Sequence, residues 1–150
     1  RDAVVVSKMS AASAFASSVQ VGTRFPLHAT AYGRALLAGM TSADLKKIFP
    51  EARLPAVSAN TPRSLAALSK LLAQDRARGC VVSESFFERN ISAVVAPVRD
   101  RHGNVAAAMG ITVQHAALEP VLREQLVSLV CTAAADLSHR LNYRPVEQAA

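Results

Sequence analysis

The sequence contains no tryptophan, only two cysteines and few aromatic residues, 5% of 150. With no tryptophan and so few rings, it offers no aromatic platform on which bases could stack. Cys80 and Cys131 lack metal-type spacing and read as two buried free thiols of a cytosolic protein. No apolar run is long enough to span a membrane: the richest stretch, 91–113, is broken by Pro97 and by the polar residues 99–104. There is no signal peptide, and the chain opens on Arg1 rather than Met, which reads as a piece of something longer. His28, His102, His115 and His139 lie far apart, none with a second ligand two to five residues on, so no metal is assigned. The nucleophile elbow, the phosphate-binding loop and the dinucleotide fingerprint are all missing. No serine is paired with a base in a recognised arrangement, so the chain is not read as an enzyme, and neither catalytic residues nor a cofactor are assigned.

What is present is a core. A hydrophobic content of 51% against 19% charged residues excludes disorder, and 150 residues fit one domain. The net charge of +6 comes from basic residues scattered singly, with Lys46-Lys47 the one adjacent pair. That is a solvated basic surface rather than a nucleic-acid face.

The centre of the chain is 91–113, ISAVVAPVRDRHGNVAAAMGITV. It predicts strands over 91–99 and 105–113 joined by the turn Asp100-Arg101-His102-Gly103-Asn104. Both strands are apolar at nearly every position, so both faces of the hairpin are expected to be covered. Small residues crowd the second strand (Ala106, Ala107, Ala108, Gly110), and a helix or a ligand must approach them closely. Ahead of the hairpin, strands are expected over 3–9 and 15–21. A helix follows over 29–40, in which Gly33 permits close approach of a neighbouring backbone at a propensity cost of roughly 1 kcal/mol. A short helix capped by Thr41, with Asp44 as its partner, precedes a loop over 50–61. The next helix is expected to start at Thr61-Pro62, to bury Leu65, Leu68, Leu71 and Leu72, and to end at Gly79. A strand over 80–83 and a left-handed turn at Asn90 lead into the hairpin. Glu119-Pro120 opens a long last helix whose face is expected to be Leu122, Leu126, Leu129, Ala133, Leu137 and Leu141. The order implies an α+β domain with an antiparallel sheet.

The segment 22–40, GTRFPLHATAYGRALLAGM, resembles the signature of the IclR family of bacterial transcriptional regulators, G-x-x-x-P-L-H-A-T-A-x-G-[KR]-A-x-L-A. The resemblance continues through Arg78-Gly79, Ala96-Pro97-Val98-Arg99-Asp100 and Gly103-Asn104-Val105-Ala106-Ala107, and covers about residues 3 to 144. It implies a GAF-like fold, a curved antiparallel sheet of about six strands flanked by helices. It also implies that 1–150 is a single effector-binding domain. The winged helix-turn-helix that binds DNA in this family is not in this stretch, so DNA is a partner only through that N-terminal module.

Effectors in the family are mostly small organic acids. The resemblance places the pocket between the sheet and the helix near Ala29, with the amides of Ala31 and Tyr32 on the acid group. The other pocket positions fall on Phe15, Ser83, Ile91, Ala93, Gly110 and Thr112. Several depart from the common pattern: Ser83 replaces an acid, Phe86 a glutamate, and Asn90-Ile91-Ser92 the usual Gly-Leu-Arg. Small residues at Ala93 and Gly110, with flat walls from Phe15, Tyr32 and Phe86, favour an aromatic carboxylate over glyoxylate or pyruvate. The expected assembly is a homodimer or tetramer in the cytoplasm, with Leu36, Leu37 and 133–135 as contact surface and no membrane partner. A GAF-type ligand- or cofactor-binding module outside transcription is the alternative.

Overall fold

The hairpin forms where the sequence places it. Strands β4 (Ile91–Arg99) and β5 (Val105–Gln114) pair antiparallel, with a register shift at Val98/Arg99. Their turn closes through Asp100, whose Oδ1 accepts from the amides of His102 (2.8 Å) and Asn104 (3.0 Å). This computed structural model describes residues 1–10, 19–51, 53–84 and 87–145. Strand β3 (Val81–Glu84) adds to the other side of β4, giving the order β3-β4-β5. β3 begins opposite Val95, so Pro97 lies beyond the stretch of β4 that it pairs with. Asn90 takes the expected left-handed conformation, φ 67°.

The remaining strands, β1 (Asp2–Val4) and β2 (Arg24–Pro26), make a separate antiparallel pair. The described residues therefore hold five strands in two sheets, where about six in one curved sheet were expected. The strand expected over 3–9 is confined to β1. That expected over 15–21 lies partly outside the described residues, and its described end, 19–21, is irregular chain entering a turn.

Helix α1 (Ala31–Leu37) covers one face of the β3-β4-β5 sheet and α4 (Pro120–Arg140) the other. Between them α2 (Ser42–Ile48) and α3 (Leu65–Arg78) bury Leu45, Phe49, Leu68 and Leu72 against Leu37 and Leu27. Thr41 caps α2 as expected, its Oγ1 accepting from the Asp44 amide at 3.2 Å and donating to the Asp44 carboxylate at 2.6 Å. α3 starts later than Thr61-Pro62. Residues 61–63 stay outside the helix, with the Leu54 amide donating to Arg63 O, and Ser64 caps the helix at Ala67 N. Thr61 instead closes a turn on Ser58.

α4 begins at Pro120 after Glu119, as read from the sequence, but it is rotated from the expected face. Leu126, Val130, Ala134 and Ser138 meet the sheet, while Leu129 is 57% exposed and Leu137 and Leu141 stand out beside it. The small residues let the helix lie close. Ser138 is satisfied there, donating to Ala134 O (2.6 Å) and accepting from Arg99 N (2.9 Å). Among the described residues no helix is long and apolar enough to cross a membrane.

Candidate functional site

The segment 22–40 builds a tight entry to α1. Thr30 caps the helix, its Oγ1 accepting from Gly33 N at 3.0 Å and bonding back to Pro26 O at 3.3 Å. The lead-in chain folds back so closely that a Cβ on Gly33 would collide with the backbone of Leu27. That is the close approach the sequence implied for Gly33. His28 is buried edge-on to Phe49, and its Nε2–H donates to Pro55 O at 2.8 Å. Its work is to anchor the 50–61 loop.

Arg34 leaves α1 on the side away from solvent and meets Asp75 of α3. Nε donates to Oδ2 (2.9 Å) and Nη2 to Oδ1 (2.7 Å), with both side chains at most 3% exposed. A two-pronged buried pair of this kind fixes the axis of α1 relative to α3. The sequence reading missed it. The available signal was an acid, Asp75, on the same helical stripe as Leu68 and Leu72.

Side chains alternate along a strand, and so the sheet has two unlike faces. On the α1 face, Ala31 and Ala35 pack on Val81, Ala93 and Val95, with Tyr32 and Ala108 beside them. Cross-strand register aligns Ser83, Ala93 and Thr112 in one row, and Val81, Val95 and Gly110 in the next. Tyr32 reaches over the first row, its Oη 3.4 Å from Thr112 Oγ1. Burial raises the Tyr32 phenol above its ordinary range, and the bond to Thr112 opposes this in part. Two strand spacings set the backbones of Ser83 and Thr112 about 10 Å apart, with Ala93 between them and the Tyr32 phenol at Thr112.

Of the residues the resemblance implied, Ala31, Tyr32, Ser83, Ile91, Ala93, Gly110 and Thr112 all belong to elements of this face, Ile91 at its end opposite Gln114. Phe15 and Phe86 lie outside the described residues. Gly110 differs from its expected role as an open floor. A Cβ there would strike Val94 O and the Val95 side chain, so glycine is required by close packing of β5 on β4.

Two clefts open on the opposite, α4 side. One of about 470 Å³ is lined by Arg78, Val82, Glu84, Arg123 and Val127, with Arg123 Nη2 bonded to Glu84 at 2.5 Å. A second, of about 250 Å³, lies against Gly79, Pro97, Cys131 and Ser138. Neither holds the α1-face row, and mixed charges in the larger give it no preference for an anion. The structure also pairs a serine with a base, which the sequence reading did not find: Ser92 Oγ lies 2.9 Å from His115 Nδ1. Ser92 is 1% exposed, so the pair ties the turn after β5 to β4 and presents no nucleophile. Among the described residues no cluster of His, Cys, Asp and Glu could hold a metal.

An antiparallel sheet with one face under a long helix and the other under a short capped helix over a hydroxyl-bearing row defines an α+β domain of GAF-like architecture. The chain belongs to the IclR family of bacterial transcriptional regulators: the model described as "Bacterial transcriptional regulator IclR C-terminal" matches residues 1–139. It is 28% identical over 124 residues to the Pca regulon regulatory protein of Pseudomonas putida, covering 82% of this chain and 43% of that protein. The chain thus spans less than half the length of that relative. The solved C-terminal domain of the Escherichia coli regulator KdgR superposes with a TM-score of 0.77 at 28% identity, covering 82% of this chain and 75% of that one. The PobR inducer-binding domain from Acinetobacter, a double mutant in complex with 3-hydroxybenzoic acid, superposes with a TM-score of 0.72, covering 79% of this chain and 69% of that one. Its identity of 23% makes that a likeness of fold.

Proposed function

We propose that the α1 face binds a small organic acid, an aromatic carboxylate, as the effector of a transcriptional regulator. The observation that carries the reading is the row Ser83–Ala93–Thr112 beneath Tyr32. The ring lies over Ala93, and its polar substituents meet the flanking hydroxyls. The acid group takes the first amides of α1, at Ala31 and Tyr32, since the Thr30 cap already serves Gly33. With only seven residues, α1 contributes a weak dipole, and the hydroxyls supply much of the specificity. Ile91 flanks the ring, and Gly110 lets β5 pack closely behind it. PobR supports the fold's capacity for an aromatic acid, and speaks only for itself on identity.

DNA contact falls to an N-terminal winged helix-turn-helix outside these residues, in a cytoplasmic protein. Membership in a family of transcriptional regulators favours this over a GAF-type module unconnected with transcription. Association of copies is the route to DNA. Leu36 and Leu37 do not serve it, because Leu37 is fully buried and Leu36 packs on the core. Ala134 is buried as well. The surface offered instead is the flank of α4 bearing Leu129, Ala133, Leu137 and Leu141, about 18 Å of apolar stripe. Effector under α1 selects one packing of that helix, and β4, whose alternate residues touch α1 and α4, passes the change to this flank.

Thermal shift of the 150-residue chain against benzoates, two- and three-carbon keto-acids and neutral sugars tests the ligand class. Benzoates alone should raise the melting temperature; a response confined to keto-acids or sugars rejects the proposal. Sedimentation should show a dimer or larger, and a strict monomer with and without benzoate removes the proposed coupling.

A further inference from the structure

The two cysteines, separate in the sequence, meet in the fold. Cys80 follows Gly79 at the end of α3, one residue before β3, and is 1% exposed. Cys131 is half-buried on the flank of α4 that faces β3. Both belong to the apolar layer between α4 and the sheet, and their thiols are hydrogen-bonded to one another. Neither is in a disulfide. Cys131 lines the 250 Å³ cleft along with Gly79, Ala96, Pro97 and Ala134. A small solute entering that cleft, which Arg99, Ser138 and His139 also line, meets Cys131 first, and Cys80 stands behind it.

We propose that Cys80 and Cys131 form a dithiol modification site that a small hydroperoxide converts to an internal disulfide, joining α4 to the start of β3. The Cys131 sulfur, as thiolate, attacks one peroxide oxygen. An S–O bond forms as the O–O bond breaks, the sulfur loses two electrons, and the peroxide leaves as alcohol or water after taking a proton. The Cys80 sulfur then attacks the resulting sulfenic acid. The S–S bond forms, the S–O bond breaks, and hydroxide departs with the Cys80 proton as water. The bond closes a loop of chain running through β3, β4 and β5, so it restrains opening of the layer on which α4 rests. This site lies on the opposite face from the proposed effector row and does not depend on it.

The environment sets the pace. Burial, and then the neighbouring Cys131, push the Cys80 thiol up to about 11; Asp75 of α3 acts in the same direction and Arg78 of α3 opposes it. Cys80 is therefore a thiol at neutral pH, and the second step gains about tenfold in thiolate per pH unit below that value.

Hydrogen peroxide treatment of the chain, followed by alkylation and peptide mass mapping, tests this. The expected product joins the Cys80 and Cys131 peptides within one chain, lacks one hydrogen from each thiol, and is reversed by reductant. Its formation from the trapped sulfenic acid should accelerate steeply with pH. In Cys80→Ala the sulfenic acid on Cys131 should persist and react with a cyclic 1,3-dione. Oxidised Cys131 beside a still alkylatable Cys80, or disulfides only between chains, overturns the proposal. A trivalent arsenical gives a second reading on the unmutated protein. It should protect both thiols from alkylation at one equivalent, and failure to protect them also counts against a paired site.

Discussion

The two faces of the β3-β4-β5 sheet come from the same strands and are held in different ways. On the α4 face, Val94, Val98, Met109 and Ile111 meet a 21-residue helix, and aliphatic volume does the holding. On the α1 face the alanines 31, 35, 93 and 108 interleave with Val81 and Val95 under a helix of seven residues. There the position of the helix depends on Arg34 and Asp75, on Thr30 and on the glycines at 33 and 110. A face filled by large aliphatics leaves a guest only the clefts along the sides of α4. A face of methyls, edged with hydroxyls and fixed from outside by an ion pair, can keep its shape while leaving its polar groups for a ligand.

Breaking the ion pair should have the largest effect. Asp75→Ala leaves the Arg34 charge buried, and a loss of about 3–5 kcal/mol is expected in urea unfolding. Arg34→Met with Asp75→Leu should recover more than half of it; an equal loss in the double variant means that apolar packing already positions α1. Next is Gly110→Ala, expected to cost about 1–3 kcal/mol because the added methyl meets β4 backbone. Unchanged thermal stability would restore Gly110 as the floor of an open cavity. The smallest change distinguishes recognition from support. Thr112 is exposed, so Thr112→Val should leave stability within about 0.5 kcal/mol and weaken benzoate binding about three- to tenfold in calorimetry. Equal affinity would remove Thr112 from the row that reads the ligand.

Much of this contrast was legible in the sequence. The apolar runs on either side of Asp100–Asn104 fix the hairpin, and period-two alternation then assigns Ala93 and Thr112 to one face and Val94 and Ile111 to the other. Thr41 and Glu119-Pro120 marked helix starts correctly because caps are local chemistry. The rotation of α4 was not legible, since reading by leucines passes over Ala134 and Ser138, whose small size is what suits them to the sheet. The start of α3 was displaced by a bridge between Arg53 and Ser64, a pairing across an intervening loop. Arg34–Asp75 and Cys80–Cys131 join positions 41 and 51 residues apart, and no spacing rule reaches that far.

Pro97 carries a last consequence. β3 begins only opposite Val95, so beyond that point β4 runs on with no neighbouring strand on that side among the described residues, and this is the stretch Pro97 occupies. An open strand border invites a foreign chain to zip onto it, which is how ordered aggregates grow. A pyrrolidine nitrogen has no hydrogen to offer such an intruder. Substituting Pro97 by a residue with an amide would give the fold one more potential donor and, at the same position, a place for unwanted self-templating to begin.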